Sequence, residues 1–231
     1  MLVGLNVYNT MVVFYPSFRS PIKKVGATGL IIFFLLSLSV SVLAEPKTLV
    51  FLGDSLTAGY GLPEELAYPA LVQGFLQKDG LDWRVINAGI SGDTTQGGLK
   101  RLNWILRTKP DLVFIALGGN DGLRGLKLEH TQANLEEIIL RLKEEKVGVV
   151  LTGVLLPTNY GEPYQEQFKD LYATLAKKHG IPLLPFLLEG VAGLPELNQA
   201  DGIHPNAAGQ KVVAWHVYTF LRPILEGKGV K

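Results

Sequence analysis

Two short strings hold residue types from which a nucleophilic site can be built. "GDSLTAGYG", residues 53–61, sets Ser55 in a glycine-rich turn directly after an apolar run. "DGIHPNAAG", residues 201–209, sets His204 three residues after Asp201. A turn of the first kind can cradle a phosphate on its amides, or it can expose a serine hydroxyl as a nucleophile. A serine nucleophile needs a base, and the chain has 4 histidines. His130 falls at a helix start, His179 in a last helical turn before Gly180, and His216 inside the final helix, all structural or solvated positions. His204 falls in a loop. One short turn can hold Asp201 and His204 together, so that the carboxylate accepts from one ring nitrogen and the other faces a serine. The same spacing also fits an Asp-capped turn with a solvated histidine, and Ser55 alone fits an N-cap.

Acyl transfer also needs donors aimed at a developing oxyanion. Gly92 in "ISGD" offers a backbone N–H with no side chain in the way, Asn120 in "GGND" offers an amide, and the Ser55 N–H completes a set of three. Taken singly, these are equally a tight-turn glycine and a left-handed asparagine. Asp54 and Asp121 adjoin Ser55 and Asn120 and raise the question of a metal. His204 is the only plausible nitrogen ligand beside them, whereas a catalytic zinc takes about three protein ligands. Hydrogen bonding that fixes the two turns is the expected role of both acids, with no metal site.

The elements that must position these residues are legible in the alternation of apolar runs with periodic segments. Strands are predicted at "TLVFLG" from Thr48, "WRVINAG" from Trp83, "DLVFIALG" from Asp111, "VGVVLTGVL" from Val147 and "IPLLPFL" from Ile181. None alternates strictly, as expected when both faces of a parallel sheet are covered. Helices are predicted over residues 64–78, 95–107, 131–146, 163–179 and 205–225, with Pro205 opening the last. Five strands alternating with five helices imply a doubly wound α/β domain, in which ligands bind beyond the carboxyl ends of the strands. That rule sends the loops carrying Ser55, Gly92, Asn120, Asp201 and His204 to one edge. No internal repeat or low-complexity linker divides the domain.

The 231-residue chain carries a formal net charge of +1, and it has no cysteine. Disulfides, thiolate metal sites and cysteine-linked lipids are thereby excluded. Residues 1–44 contain no Asp or Glu, carry Arg19, Lys23 and Lys24, and then run apolar through "LIIFFLLSLSVSVLA". That order reads as a secretory signal peptide, with Val42 and Ala44 at the cleavage positions. Cutting after Ala44 leaves residues 45–231 with a net charge of −2. The length of the segment also admits a start at Met11, and residues 25–43 approach the roughly 20 needed for an uncleaved anchor. A periplasmic or secreted location is expected, with an inner-membrane anchor facing the periplasm as the alternative. No basic patch offers itself to nucleic acid.

The four loops "GDSLTAGYG", "NAGISGDTTQGGLKRL", "ALGGNDGLRG" and "DGIHPNAAGQ" resemble, in order and in residue type, the motif blocks of the GDSL or SGNH hydrolase family. The resemblance runs from about Lys47 to the last helix. It is nearest the bacterial periplasmic branch described as arylesterase, acyl-CoA thioesterase and lysophospholipase, through "GGNDGLRG" and "LPTNYG". It implies a flavodoxin-like three-layer α/β/α sandwich with a five-stranded parallel sheet. It also implies a Ser55, Asp201 and His204 triad, an oxyanion hole from Ser55, Gly92 and Asn120, and no cofactor.

Neither a phosphate loop of the form G-x-x-x-x-G-K-[ST] nor a G-x-S-x-G elbow occurs. The expected activity is hydrolysis of small ester, thioester or lysophospholipid substrates by a monomer, through an acyl-enzyme. Membrane contact is expected only through the N-terminal segment or a lipid substrate. Leu123 and Tyr160 are expected to line the acyl pocket. Removal of O-acetyl groups from a glycan and noncatalytic anion binding are the alternatives.

Overall fold

The computed structural model describes residues 45–156 and 160–228. The expected signal peptide or anchor lies outside the described residues. Within them, no helix is long and apolar enough to cross a membrane.

Five strands form one parallel sheet: β1 (Lys47–Gly53), β2 (Trp83–Gly89), β3 (Leu112–Ala116), β4 (Gly148–Thr152) and β5 (Leu183–Leu184). Their order is β2-β1-β3-β4-β5, with the reversal beside β1. A sheet that winds outward in both directions from its first strand opens a crevice at that point, beyond the carboxyl ends of β1 and β3. The register aligns those ends, pairing Gly53 with Gly89 on one side and with Ala116 on the other.

Strand alternation explains the two cores. Val50 and Leu52 on β1, with Val113 and Ile115 on β3, bury against one helical layer. That layer holds α3 (Thr95–Lys100), α4 (Leu102–Arg107), α6 (Leu128–Glu144) and α7 (Glu162–His179). Leu49, Phe51, Leu112 and Phe114 point the other way, onto α2 (Tyr68–Lys78) and α8 (Ala207–Leu225). The result is the doubly wound α/β domain that the apolar pattern predicts and the three-layer sandwich that the family resemblance implies.

The differences from the predicted elements are local. The predicted helix over 95–107 is broken at Arg101, which caps α3 and leads into α4. The predicted helix over 64–78 begins as a 3-10 turn, Glu64–Leu66, before α2. Pro205 does not open the last helix; it pairs in a bridge with Asn198, and Asn206 caps α8 by accepting from Ala208 N and Gly209 N. Two short helices, α1 (Ser55–Ala58) and α5 (Gly119–Leu123), stand where turns are expected, and both carry candidate site residues.

Candidate active site

The end of β1 delivers Ser55 to the first position of α1. Asp54 is the N-cap, its Oδ1 accepting from Leu56 N at 3.0 Å. Glycine is required just before it, because a Cβ at Gly53 would lie 1.9 Å from Thr57 Oγ1. As the first residue of a helix, Ser55 has an N–H with no intrahelical acceptor, and that donor has no backbone partner among the described residues.

The segment before α8 brings Asp201 and His204. Asp201 Oδ1 accepts from Ile203 N at 2.9 Å and from His204 N at 3.0 Å, which closes the turn and fixes where the imidazole starts. His204 Nδ1 then lies 2.7 Å from Asp201 Oδ2, and His204 Nε2 lies 2.9 Å from Ser55 Oγ. The N–H groups of His204 and Ile203, followed by the His204 ring, hold the Asp201 carboxyl down at about 2. An ionised carboxylate only accepts, so Nδ1 carries the ring proton and Nε2 is left to accept from the Ser55 hydroxyl. Residues 149 positions apart in the chain thus meet in hydrogen-bond geometry.

Asn120, second in α5, donates from Nδ2 to Asp93 O at 2.9 Å, with Asp54 Oδ2 a longer 3.4 Å away. The amide is therefore held between the loop that carries Gly92 and the residue that precedes Ser55. Gly92 has φ +80°, a left-handed conformation that glycine adopts without strain. Its carbonyl accepts from Arg124 Nη2 at 2.9 Å, and its N–H has no partner among the described residues. Burial pushes the Asp54 carboxyl up to about 6, against the pull of the Leu56 hydrogen bond and of His204. Asp121 is turned away, accepting from Thr95 N at 2.9 Å, Thr95 Oγ1 at 2.5 Å and Thr131 Oγ1 at 3.3 Å. Both acids are consumed in fixing turns. Among the described residues no group of three His, Asp or Glu side chains is arranged around a common metal position.

A cavity of about 470 Å³ opens beside these groups, with Asp54, Gly119 and Gly202 at the site end and Leu123, Leu155, Leu156 and Phe186 among its walls. Leu123 lines this cavity. Tyr160 is not a lining residue; its hydroxyl donates to Leu123 O at 2.9 Å and ties that wall to the start of α7.

Three residues of the site had no signal of their own in the sequence. The Tyr60 ring packs on His204 with centroids 4.6 Å apart. Gln199 joins the two loops, its Nε2 donating to Tyr60 O at 2.7 Å and its N–H to His204 O at 2.8 Å. Arg101 donates from Nη2 to Gly53 O at 3.0 Å and from Nε to Asp93 Oδ2 at 2.8 Å. Tyr60 and Gln199 are ordinary loop residues by type, and Arg101 reads as the polar face of a helix. The remaining histidines with ring partners have structural ones, His179 on Glu136 and His216 on Phe186 O.

A doubly wound sheet with a serine, histidine and aspartate joined at its switch point defines a class, the three-layer α/β hydrolases. Residues 51–212 match the GDSL-like Lipase/Acylhydrolase family, and the chain belongs to it. It is 45% identical over 183 residues to "Esterase TesA" of Pseudomonas aeruginosa, covering 79% of this chain and 91% of that protein. It is 42% identical over 183 residues to "Thioesterase 1/protease 1/lysophospholipase L1" of Escherichia coli K12, covering 79% of this chain and 86% of that one. The crystal structure of TesA superposes with a TM-score of 0.75 at 45% identity, over 77% of this chain and 99% of that one.

Proposed function

We propose that this chain hydrolyses carboxylic esters and thioesters through an acyl-enzyme on Ser55. The observation that carries the reading is the unbroken relay from Ser55 Oγ through His204 to Asp201, with steps of 2.9 Å and 2.7 Å. Ser55 Oγ attacks the acyl carbon while His204 Nε2 takes its proton. Asp201 holds the resulting imidazolium in place. The oxyanion of the tetrahedral intermediate accepts from Ser55 N, Gly92 N and the Asn120 amide. Collapse expels the alcohol or thiol, which His204 protonates, and water then attacks the acyl-serine with the same base.

Ester and thioester share that intermediate, so one set of donors serves both. The relatives named esterase and thioesterase support this breadth. A cavity walled by Leu123, Leu155, Leu156 and Phe186 suits an acyl chain better than a sugar. The reading extends to export, which the acid-free, basic and then apolar residues 1–44 support.

The test is turnover of a chain-length series of p-nitrophenyl esters and acyl thioesters by wild type, Ser55→Ala and His204→Ala, with chelator present throughout. Turnover on both bond types, lost in both variants, is expected. Activity that survives Ser55→Ala would sink the acyl-enzyme.

A further inference from the structure

Tyr60 packs on His204, yet neither core requires an aromatic side chain at that position. The residue is half exposed, it does not line the cavity, and its hydrogen bonds among the described residues are all made by its backbone. An exposed tyrosine is ordinarily free to turn into water. Here the backbone that carries the ring is tied to both catalytic residues. Tyr60 N–H donates to Ser55 O at 3.0 Å, and Tyr60 O accepts from Gln199 Nε2 at 2.7 Å. Gln199 in turn donates from its backbone N–H to His204 O at 2.8 Å and from Nε2 to Pro205 O at 3.1 Å. The ring is therefore placed relative to nucleophile and base at once, with its centroid 4.6 Å from that of the imidazole and the two planes inclined at 40°.

What this contact contributes depends on the charge of His204. While Ser55 keeps its proton the imidazole is neutral, and the contact is the packing of two aromatic rings. Once Nε2 has taken the proton, a cation lies within the roughly 6 Å over which an aromatic face attracts one. Asp201 meets that cation in the plane of the ring, at Nδ1, whereas Tyr60 meets it across a face. The two partners do not compete for the same position. An attraction that appears only when the proton has moved lowers the barrier without tightening the binding of substrate.

We infer that Tyr60 is a positioning residue for the base, its aromatic face steadying the His204 ring and stabilising the imidazolium formed as Ser55 attacks. The inference rests on the hydrolase reading above and deepens it by adding a partner to the relay of Ser55, His204 and Asp201. Acylation and deacylation both pass through the imidazolium, so the contribution appears in kcat whichever step is slower.

Full-length wild type, Tyr60→Phe, Tyr60→Leu and proteins with phenylalanines of increasing ring fluorination in place of Tyr60 would be assayed on ethyl butyrate and p-nitrophenyl butyrate, with Tm measured for each. Fluorine drains negative charge from the aromatic face while changing its size little. Tyr60→Phe keeps the ring and should stay within about twofold of wild type. Tyr60→Leu should lower kcat by about threefold to thirtyfold on both esters with KM nearly unchanged. Within the fluorinated series kcat should fall as fluorines are added, at constant Tm.

An unchanged rate in Tyr60→Leu overturns the inference. So does a loss in Tyr60→Leu without a trend across the fluorinated series, which would reduce the contact to shape. A loss in Tyr60→Phe as large as in Tyr60→Leu would assign the effect to the hydroxyl, and a loss confined to the p-nitrophenyl ester would make Tyr60 a surface for the leaving group; either result overturns it too. No turnover of either ester by wild type would be a failure of the hydrolase reading, distinct from all of these.

Discussion

Arg101 and Asp93 form an ion pair of 2.8 Å, with side chains only 15% and 11% exposed, that joins the nucleophile's strand to the loop beside it. The other end of the same guanidinium donates to Gly53 O at 3.0 Å, one residue before the Asp54 cap. Asp93 O in turn accepts from the Asn120 amide, and Asp93 directly follows Gly92. One arginine therefore sets the spacing between Ser55 and two of the three proposed oxyanion donors.

Arg101→Met should lower kcat by about tenfold to a hundredfold with KM near its wild-type value, approaching the loss of one oxyanion donor. Arg101→Lys should recover little, since an ammonium cannot span both acceptors in the geometry of the planar fork. Steady-state kinetics on folded protein, with Tm measured alongside, separates positioning from folding. A fall in Tm with kcat per folded molecule intact would assign Arg101 to stability alone.

The acid limb of the pH profile should report the protonation of Asp54. Asp54 sits against Asn120, Asp93 and His204, and burial pushes its carboxyl up to about 6. As pH falls through about 6, the carboxylate facing Asn120 is lost. Log kcat/KM for wild type should therefore fall as pH drops through about 6, and Asp54→Asn, uncharged at every pH, should lack that step. Stability carries the opposite sign from an ordinary surface acid. The folded state binds the Asp54 proton more tightly than the unfolded state, so this contribution is full below about 4 and is lost as pH rises through about 6. The difference amounts to about 3 kcal/mol. Asp54→Asn should thus gain in Tm relative to wild type between pH 4 and pH 8. A constant Tm difference across that range would contradict the buried carboxyl.

The sequence patterns that survive into the structure are those with enough residues to average over. Apolar runs at β1 to β4 and the periodicity of α6 to α8 each engage many side chains, so their positions follow from burial alone. β5 keeps only Leu183 and Leu184, because Pro182 and Pro185 bracket them and neither can donate to a ladder. α1 and α5, at four and five residues, are too short to show a period, and their Gly, Asp, Ser and Asn residues read as turns. Ser55, Asn120 and His204 could be picked out only together, through the resemblance of their four loops to the family's motif blocks. Arg101, Tyr60 and Gln199 could not, because each acts on a loop far away in the chain and only the fold brings them together.

Asp201→Asn tests the third link of the relay. An amide can still accept from Ile203 N and His204 N, so the turn should hold. It can also present its own N–H to Nδ1, which favours the tautomer whose Nε2 carries the proton and cannot receive one from Ser55. A loss in kcat of about 10³-fold with little change in KM is expected. Because the wild-type carboxyl is held at about 2, its contribution to stability is present above the ordinary carboxylate range and is lost only as pH falls through about 2. Its acid limb should therefore not appear in activity measured above pH 4. Activity of Asp201→Asn within about threefold of wild type would show that the ring keeps its tautomer without the carboxylate.

Asp121 offers the sharpest test of the shell behind the site. It is 1% exposed, and its two oxygens hold Thr95 N, Thr95 Oγ1 and Thr131 Oγ1, while Asn134 donates onto Thr95 Oγ1 at 3.0 Å. The network ties the starts of α3 and α6 to α5, the helix that carries Asn120. Asp121→Ala leaves a buried N–H and two hydroxyls without their acceptor, which should cost about 3 kcal/mol and lower Tm by about 6–12 °C. Asp121→Asn keeps one acceptor but turns an amide N–H toward the Thr95 donors, so it should fall between wild type and the alanine variant. The active-site consequence follows from geometry, since α5 then loses the anchor adjacent to Asn120. At a temperature where both variants remain folded, kcat should fall in the same order as Tm while KM changes less. Equal Tm values for all three proteins would mean that the threonines find other acceptors, and α5 would have to be held by packing of Gly122 against Leu156 and Phe168 instead.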